Sequence, residues 1–380
     1  MFSPLEGFVA WPYGTRETNE CSSMNTISRA VDLPDAWDAV AAGNFALQRR
    51  FLRQLEGCTS TEKRYHLFHD DGGRLDSIIC EQSIDRFNLT QYTPIDWRVR
   101  ARLLHVPLSV ARPGLVVGDR TRGQVEDFVR SLPGFTIILN WPGDEGFTDM
   151  AAGTMSPQLR LRVRWTDFDA YLESLRSGYR HRLRKALRKG RELRFRILQD
   201  NREFDERLYG FYRRINERAR VRVETLGIEW FRSSLGRIIV CEHRGVSQGF
   251  IQLVENGREL VWTFVGYAEE TNTEYDVYQN LLVALVRHAI ENRFETVDMG
   301  QTAEDAKLKL GCEYVPLRVL VRHSLAWKSW LCRRLMPYSG HKPVGDNFRV
   351  FREADAPAGR RTAEPRQPVA VLDRKSTRLN

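Results

Sequence analysis

The short run 296–300 carries a carboxylate: Asp298 is followed by Met299, Gly300, Gln301 and Thr302. A carboxylate at the end of an apolar strand is pushed toward its protonated form by burial, which suits it to accept and pass on a proton. In the alternative role it is simply satisfied by the backbone N–H groups of the next turn. Gln301 and Thr302 could orient a reacting group beside it, and Thr302 could equally cap a following helix. Glu242 closes another apolar run and is a second base candidate, and Tyr275 offers a hydroxyl just outside an apolar stripe. Lys307 and Lys309 stand two residues apart, so on a helix they cannot face the same way. Arg180 and Arg184 belong to a basic helix face between 176 and 196 that could meet phosphate on RNA, an anionic membrane or an anionic sugar nucleotide. Tyr179 on that segment lies in the apolar stripe, so base stacking has little support. Nothing points to sequence-specific DNA reading.

Other chemistries find less support. His66 and His69 neighbour Asp70 and Asp71, but residues three apart on a strand point to opposite faces, which argues against a shared metal. Cysteines 21, 58, 80, 241, 312 and 332 form no C-x-x-C pair and read as free, mostly buried thiols. No local signature of a Ser-His-Asp or Cys-His nucleophile is present.

The elements that must position these groups follow from periodicity. Residues 35–56 read as one or two short helices interrupted near Gly43, and Asp70-Asp71-Gly72-Gly73 as a hairpin turn between strands 65–69 and 75–80. Further strands fit 86–90, 104–110, 115–117, 136–141 and 159–163, with a helix at 122–131. Phe168, Tyr171, Leu172, Leu175, Tyr179, Leu183 and Leu187 then predict one helix, capped by Thr166 and stopped by Gly190. The second half reads helix, short helix, three-strand meander (237–242, 249–254, 259–267), helix 278–292, strand 296–300, short helix 302–310 and strand 317–321. Beyond Tyr338 the chain is rich in Pro, Ala and Arg and is expected to be disordered.

With 380 residues, 42% hydrophobic and 28% charged, the chain holds apolar material for two domain cores. Global disorder and collagen, coiled-coil or disulfide-framework classes are excluded. No apolar run is long enough to cross a membrane and no secretory signal opens the chain, so the cytoplasm is the default location. The net charge is +9, and all but eight of the 58 basic residues are arginine, as GC-rich codon usage produces. The last eight residues, DRKSTRLN, translate the codons GAT CGG AAG AGC ACA CGT CTG AAC, the start of a common sequencing adapter, and are set aside.

The run 275–321 resembles the C-terminal core of FemAB-like acyltransferases of the GNAT superfamily. The matching residues are Tyr278, Asp298-Met299-Gly300, Gln301-Thr302, Lys307 and Leu310-Gly311. The resemblance implies an α/β (α+β) fold of tandem GNAT-like domains, each a mixed, mostly antiparallel sheet flanked by helices. It places a degenerate first copy at 1–165, a basic bridging helix at 166–200 and a catalytic copy at 201–337, with the composition-defined tail at 338–380 after them. It implies transfer of an acyl or aminoacyl group to an amine or hydroxyl on a cell-envelope or polysaccharide precursor. The donor enters between strand 259–267 and strand 296–300, and a helix start near 275–277 holds its pyrophosphate. Lys307 is then the lysine that contacts an anionic donor or acceptor. Acyl-CoA is the expected donor, with aminoacyl-tRNA or a carrier-bound acyl group as alternatives, and no metal is required. One feature departs from the CoA-binding pattern: 268–276 reads AEETNTEYD, acidic and without glycine, where a glycine-rich loop is usual. The competing reading is a non-catalytic GNAT-like module that has lost its donor.

Overall fold

Strand pairing in the computed structural model divides the chain between two sheets. The structure describes residues 24–352 apart from 60, 91–93, 107, 109, 144–145, 219–224, 339 and 346–347. The first half supplies β1 (Met24–Ile27), α1 (Ala36–Val40), α2 (Arg49–Cys58), β2 (Lys63–His69), β3 (Leu75–Asn88), β4 (Arg98–Leu104), β5 (Leu115–Val116), α3 (Arg122–Ser131), β6 (Phe135–Trp141), β7 (Ala151–Thr154) and β8 (Gln158–Arg162). Then come α4 (Phe168–Ser174), α5 (Ser177–Lys189), β9 (Leu193–Ile197), α6 (Glu206–Arg218), α7 (Ile228–Arg232) and the meander β10 (Arg237–His243), β11 (Val246–Asn256) and β12 (Glu259–Tyr267). The chain continues through α8 (Glu269–Tyr275), α9 (Val277–Glu291), β13 (Thr296–Asp298), α10 (Glu304–Leu308), β14 (Glu313–Val315), β15 (Arg318–His323) and α11 (Ala326–Leu335).

The first sheet runs β1-β2-β3-β4-β6-β15-β7, with β5 also on β3, and the second β14-β8-β13-β12-β11-β10-β9. Both are mixed and mostly antiparallel, the fold class expected. The membership of two strands is not what chain order suggested. β8 precedes the bridging segment yet sits between β13 and β14, and β15 returns to lie between β6 and β7. Strand pairing therefore crosses the divisions expected at 165 and 200 in both directions. Chain order could not show this, because a strand's pattern reports its buried faces and not its partner.

Packing joins the halves further. One apolar cluster holds Trp37, Phe45, Phe51 and Tyr65 together with Phe204, Trp230, Phe231 and Phe250, so the two expected cores share a common part. A second cluster packs α4, α5 and α9 under the second sheet through Tyr171, Leu183, Leu281 and Leu285.

Three local expectations are corrected. The single helix predicted over 166–190 is two helices broken at Leu175 and Arg176, because the chain near its end pairs with the exposed backbone there. Leu175 bridges Phe351, Arg176 donates to the Val350 carbonyl (2.9 Å), and Arg352 donates to the Ser174 carbonyl (3.0 Å). The cap of α4 is Asp167, whose carboxylate accepts from the Ala170 N–H at 2.8 Å, and not Thr166. Disorder beyond Tyr338 also fails for the described part of 340–352. Val350 is buried and the Phe351 ring packs tilted against Trp165, 5.3 Å between centroids, so we call this segment the strap. The adapter-like residues lie outside the described residues, as does Cys21; Cys80, Cys241, Cys312 and Cys332 are buried free thiols and Cys58 is half-buried. Among the described residues no helix is long and apolar enough to cross a membrane.

Candidate active site

β12 and β13 run parallel for three residues only, with Glu259 opposite Thr296, Leu260 opposite Val297 and Val261 opposite Asp298. Past Asp298 the two part. The Met299 N–H donates to the Leu159 carbonyl (2.8 Å) and the Leu159 N–H to the Gly300 carbonyl (2.9 Å), so β13 is drawn toward β8 while β12 continues to Tyr267. On its other side β12 slips register against β11: Leu253 faces Trp262 and Gln252 faces Phe264, which leaves Thr263 as a bulge. A bulge bends and twists its strand, here just where β12 leaves its neighbour. A fork between parallel strands leaves strand backbone open to an extended chain carrying amides.

Two charged groups flank the fork. Asp298 is 1% exposed and lies within 3.3 Å of Arg112 Nη2, and its Oδ1 accepts the Gly300 N–H at 2.9 Å. Burial pushes its carboxyl above the ordinary carboxylate range, while Arg112 and the Gly300 N–H pull it back. Arg112 also pairs with Glu259 at the start of β12. Asn140, in the left-handed region at φ 59°, holds the Arg112 loop through the carbonyls of Val110 (3.0 Å) and Arg112 (3.2 Å). Below the fork, Lys307 is 2% exposed. Its ammonium donates to the Met299 carbonyl at 2.5 Å and sits 4.6 Å from the Trp262 ring centroid. Burial is the main cause that lowers its pKa to about 8.

The sequence of residues 174–308 matches the acetyltransferase (GNAT) domain family. The chain has a GNAT acyltransferase fold. Among solved structures it resembles the C-terminal domain of a protein assigned as a lysylphosphatidylglycerol synthetase from Agrobacterium fabrum. That likeness has 11% identity and a TM-score of 0.50, over 82% of this chain and 98% of the other. L-PGS from Bacillus licheniformis gives 11%, 0.48, 82% and 98% in the same order, and FemX gives 9%, 0.42, 68% and 88%. No curated protein sequence matches significantly.

The GNAT frame shows which expected site residues meet. Asp298, Gln301 and Lys307 gather at the fork. Gln301 donates to the Asn140 side chain (3.1 Å) and the Ser156 carbonyl (2.7 Å). Thr302 is exposed and caps nothing; the residue before α10 is Ala303, at φ 55°, with no side-chain cap. Lys309 pairs with Asp305 on the surface. Lys307, expected to contact an anionic donor or acceptor, is buried and not on the surface.

Four expected residues stand elsewhere. Glu242 is on β10, three strands from β13, and accepts from Arg196 at 2.8 Å. Tyr275 packs on the His243 ring, 4.6 Å between centroids, away from Asp298. Arg180 and Arg184 both grip Glu173 at 2.8 Å, stapling the break between α4 and α5. Arg182, Lys185 and Arg188 remain exposed on α5, with no ion pair to a described residue.

Sequence reasoning missed a polar group beside Gln301. Glu304 is buried; it accepts from the Tyr314 hydroxyl (2.8 Å) and the Val344 N–H (3.1 Å), and its Oε1 lies 2.6 Å from His341 Nε2. The other nitrogen of His341 is 3.5 Å from Ser156 Oγ. His341 belongs to the strap, where composition suggested disorder.

The start of α9 differs from a pyrophosphate cradle. The predicted acidic loop is mostly the helix α8, and Asp276, at φ 49°, precedes α9. Asn272 Oδ1 already accepts the Tyr278 N–H at 2.8 Å, and the Asp276 carboxylate faces Lys189 at 3.2 Å. Among the described residues no group of three or more His, Cys, Asp or Glu stands together as metal ligands would.

Proposed function

We propose that the protein transfers an acyl or aminoacyl group to an amine or hydroxyl, with the acyl carbon seated in the fork between β12 and β13. The observation that carries this reading is Lys307. An ammonium has three N–H donors, and here one meets the Met299 carbonyl while Trp262 covers a further side. A buried cation with donors to spare is costly unless a ligand oxygen completes it. Aimed at the carbonyl of an acyl group, it would stabilise the oxyanion of the tetrahedral intermediate. Asp298 at the fork is the proton acceptor in this scheme, helped by the upward push of burial on its carboxyl. The atoms balance simply: the acceptor nitrogen or oxygen bonds the acyl carbon, its proton goes to Asp298, and the donor's leaving group takes the electron pair of the broken bond.

The donor we favour is an aminoacyl ester or carrier-bound acyl group and not acyl-CoA, the usual donor of the GNAT family. An Asn side chain already fills part of the α9 start, and the segment before it carries Glu269, Glu270, Glu274 and Asp276, of which Glu269 pairs with Arg218 and Asp276 with Lys189. Arg182, Lys185 and Arg188 on the adjoining α5 suit a polyanionic carrier such as tRNA. A cell-envelope or polysaccharide precursor fits as acceptor on family resemblance.

Thermal shift tests the donor. A ligand at about 100 times its dissociation constant stabilises by about 2.7 kcal/mol. Stabilisation by a non-hydrolysable aminoacyl-tRNA, with none from acetyl-CoA, is the expected result; the reverse would sink the donor assignment.

A further inference from the structure

We propose that α11 is a docking helix for an anionic lipid bilayer, carried on the face of the molecule opposite its own packing side. The helix buries Ser329, Cys332 and, just past its end, Met336, which at 100° per residue fall within one narrow sector. The opposite sector is the unusual one. Trp327 is 63% exposed, Trp330 54% and Tyr338 85%, and Arg334 lies between the tryptophans and the tyrosine at helical spacing. Two tryptophans side by side in water are rare on a folded surface, where single apolar residues are the rule.

The charge around this stripe selects its occupant. α11 and the turn after it, 326–345, contain no Asp or Glu, while Lys328, Arg333, Arg334 and Lys342 fall within them; from outside, Asp149 approaches Arg333 at 4.0 Å. Lys328 sits 5.4 Å from the Trp327 ring centroid and Arg334 5.5 Å from that of Trp330. An indole with a cation at its side is the pairing that settles at a lipid headgroup layer, where the ring enters the acyl boundary and the cation stays with phosphate. A second protein is the poorer match. Stable protein interfaces take about 800 Å² from each partner, whereas this stripe offers a few hundred at most. The basic face of α5 lacks exposed aromatics, so charge alone would act there. The inference stands apart from the acyl-transfer reading, since it needs no activity of the fork.

Sedimentation of the full chain with vesicles tests it. The protein should pellet with vesicles of phosphatidylglycerol and phosphatidylcholine in equal parts, and not with phosphatidylcholine alone. The double variant Trp327→Ser/Trp330→Ser should lose vesicle affinity by about tenfold or more while keeping its melting temperature, because both rings are exposed. Lys328→Gln/Arg334→Gln should weaken binding and flatten its salt dependence. Arg182→Gln/Lys185→Gln on α5 should leave it unchanged. The proposal is overturned if the wild-type chain ignores anionic vesicles. It is equally overturned if the tryptophan variant binds as well as wild type, if the α5 variant is the one that loses binding, or if the stripe is instead covered by a second copy, seen as a dimer that the tryptophan variant dissolves.

Discussion

Asp298 and Lys307 are both almost fully buried and flank the same fork, yet they are compensated very differently. Asp298 has a guanidinium beside it and a backbone N–H on one oxygen, and that guanidinium serves a second carboxylate, Glu259. Lys307 has one carbonyl, the face of an indole, and the more distant charges of Asp298 and Glu304. Equal burial therefore means different things at the two places. The Arg112 cluster ties Arg112 of the first half to β12 and β13 of the second. The lysine is a charge the fold tolerates at a cost, as sites of chemistry do, whereas Arg112 and Glu259 form a seam that Asp298 touches from the site.

The largest expected effect separates the two roles directly. Lys307→Met should reduce acyl transfer by roughly 10²–10⁴-fold and raise the melting temperature by a few degrees, since it replaces an under-compensated charge by an apolar chain of similar length. A loss of both activity and stability would make the lysine structural. Asp298→Asn should cost a similar 10²–10⁴-fold if it accepts the proton, with the fold intact. Full activity with a lower melting temperature would reduce it to a member of the seam.

Arg112→Ala sharpens the other side of the comparison. Removing the shared cation strands two carboxylates, and denaturant unfolding should show a loss of about 3–5 kcal/mol. Arg112→Lys should recover only part of this, because one ammonium cannot present the guanidinium fork to both Glu259 and Asp298.

The pH dependence of stability is a smaller effect with a definite sign. Lys307 titrates near 8 in the folded protein and at 10.5 when exposed, so the unfolded chain binds more protons between those values. Stability should rise with pH across that window, by roughly 3 kcal/mol from this group, and the rise should vanish in Lys307→Met. A flat profile in the wild type would mean the ammonium is better compensated than its neighbours suggest. Smallest of all, Arg180→Gln with Arg184→Gln should change stability by under about 1 kcal/mol, since both lie on a partly exposed Glu173.

Much of this was legible in the residues. The meander, α9, β13 and the Asp298–Gly311 run follow from period and turn signals, and α3 matches its predicted span, 122–131. The parting of strands 259–267 and 296–300 came from the family resemblance, not from the residues, and β12 and β13 pair for three residues before they separate. The members of the site that touch it from afar were not legible. Arg112 is one arginine among many, and what singles it out is a loop held by Asn140, a contact between residues distant in sequence. His341 and Phe351 sit in a segment whose composition resembles a linker, yet they are held by Glu304 and by the gap between α4 and α5. Periodicity reports which face of an element is buried, and it is silent on which distant strand or strap buries it.

The exchanged strands have a consequence for synthesis on the ribosome. Among the described residues β7 pairs only with β15, and β8 with β13 and β14, all made much later. At about 5–20 residues per second, the roughly 160 residues from β7 to β15 occupy about ten to thirty seconds. During that time two adjacent strands are present without their mates, and the nascent chain must keep them from pairing with anything else. The first sheet cannot close as an early, independent unit. Neither sheet is complete until β13 to β15 have been made, so a chain stalled before them leaves two open edges instead of one finished half.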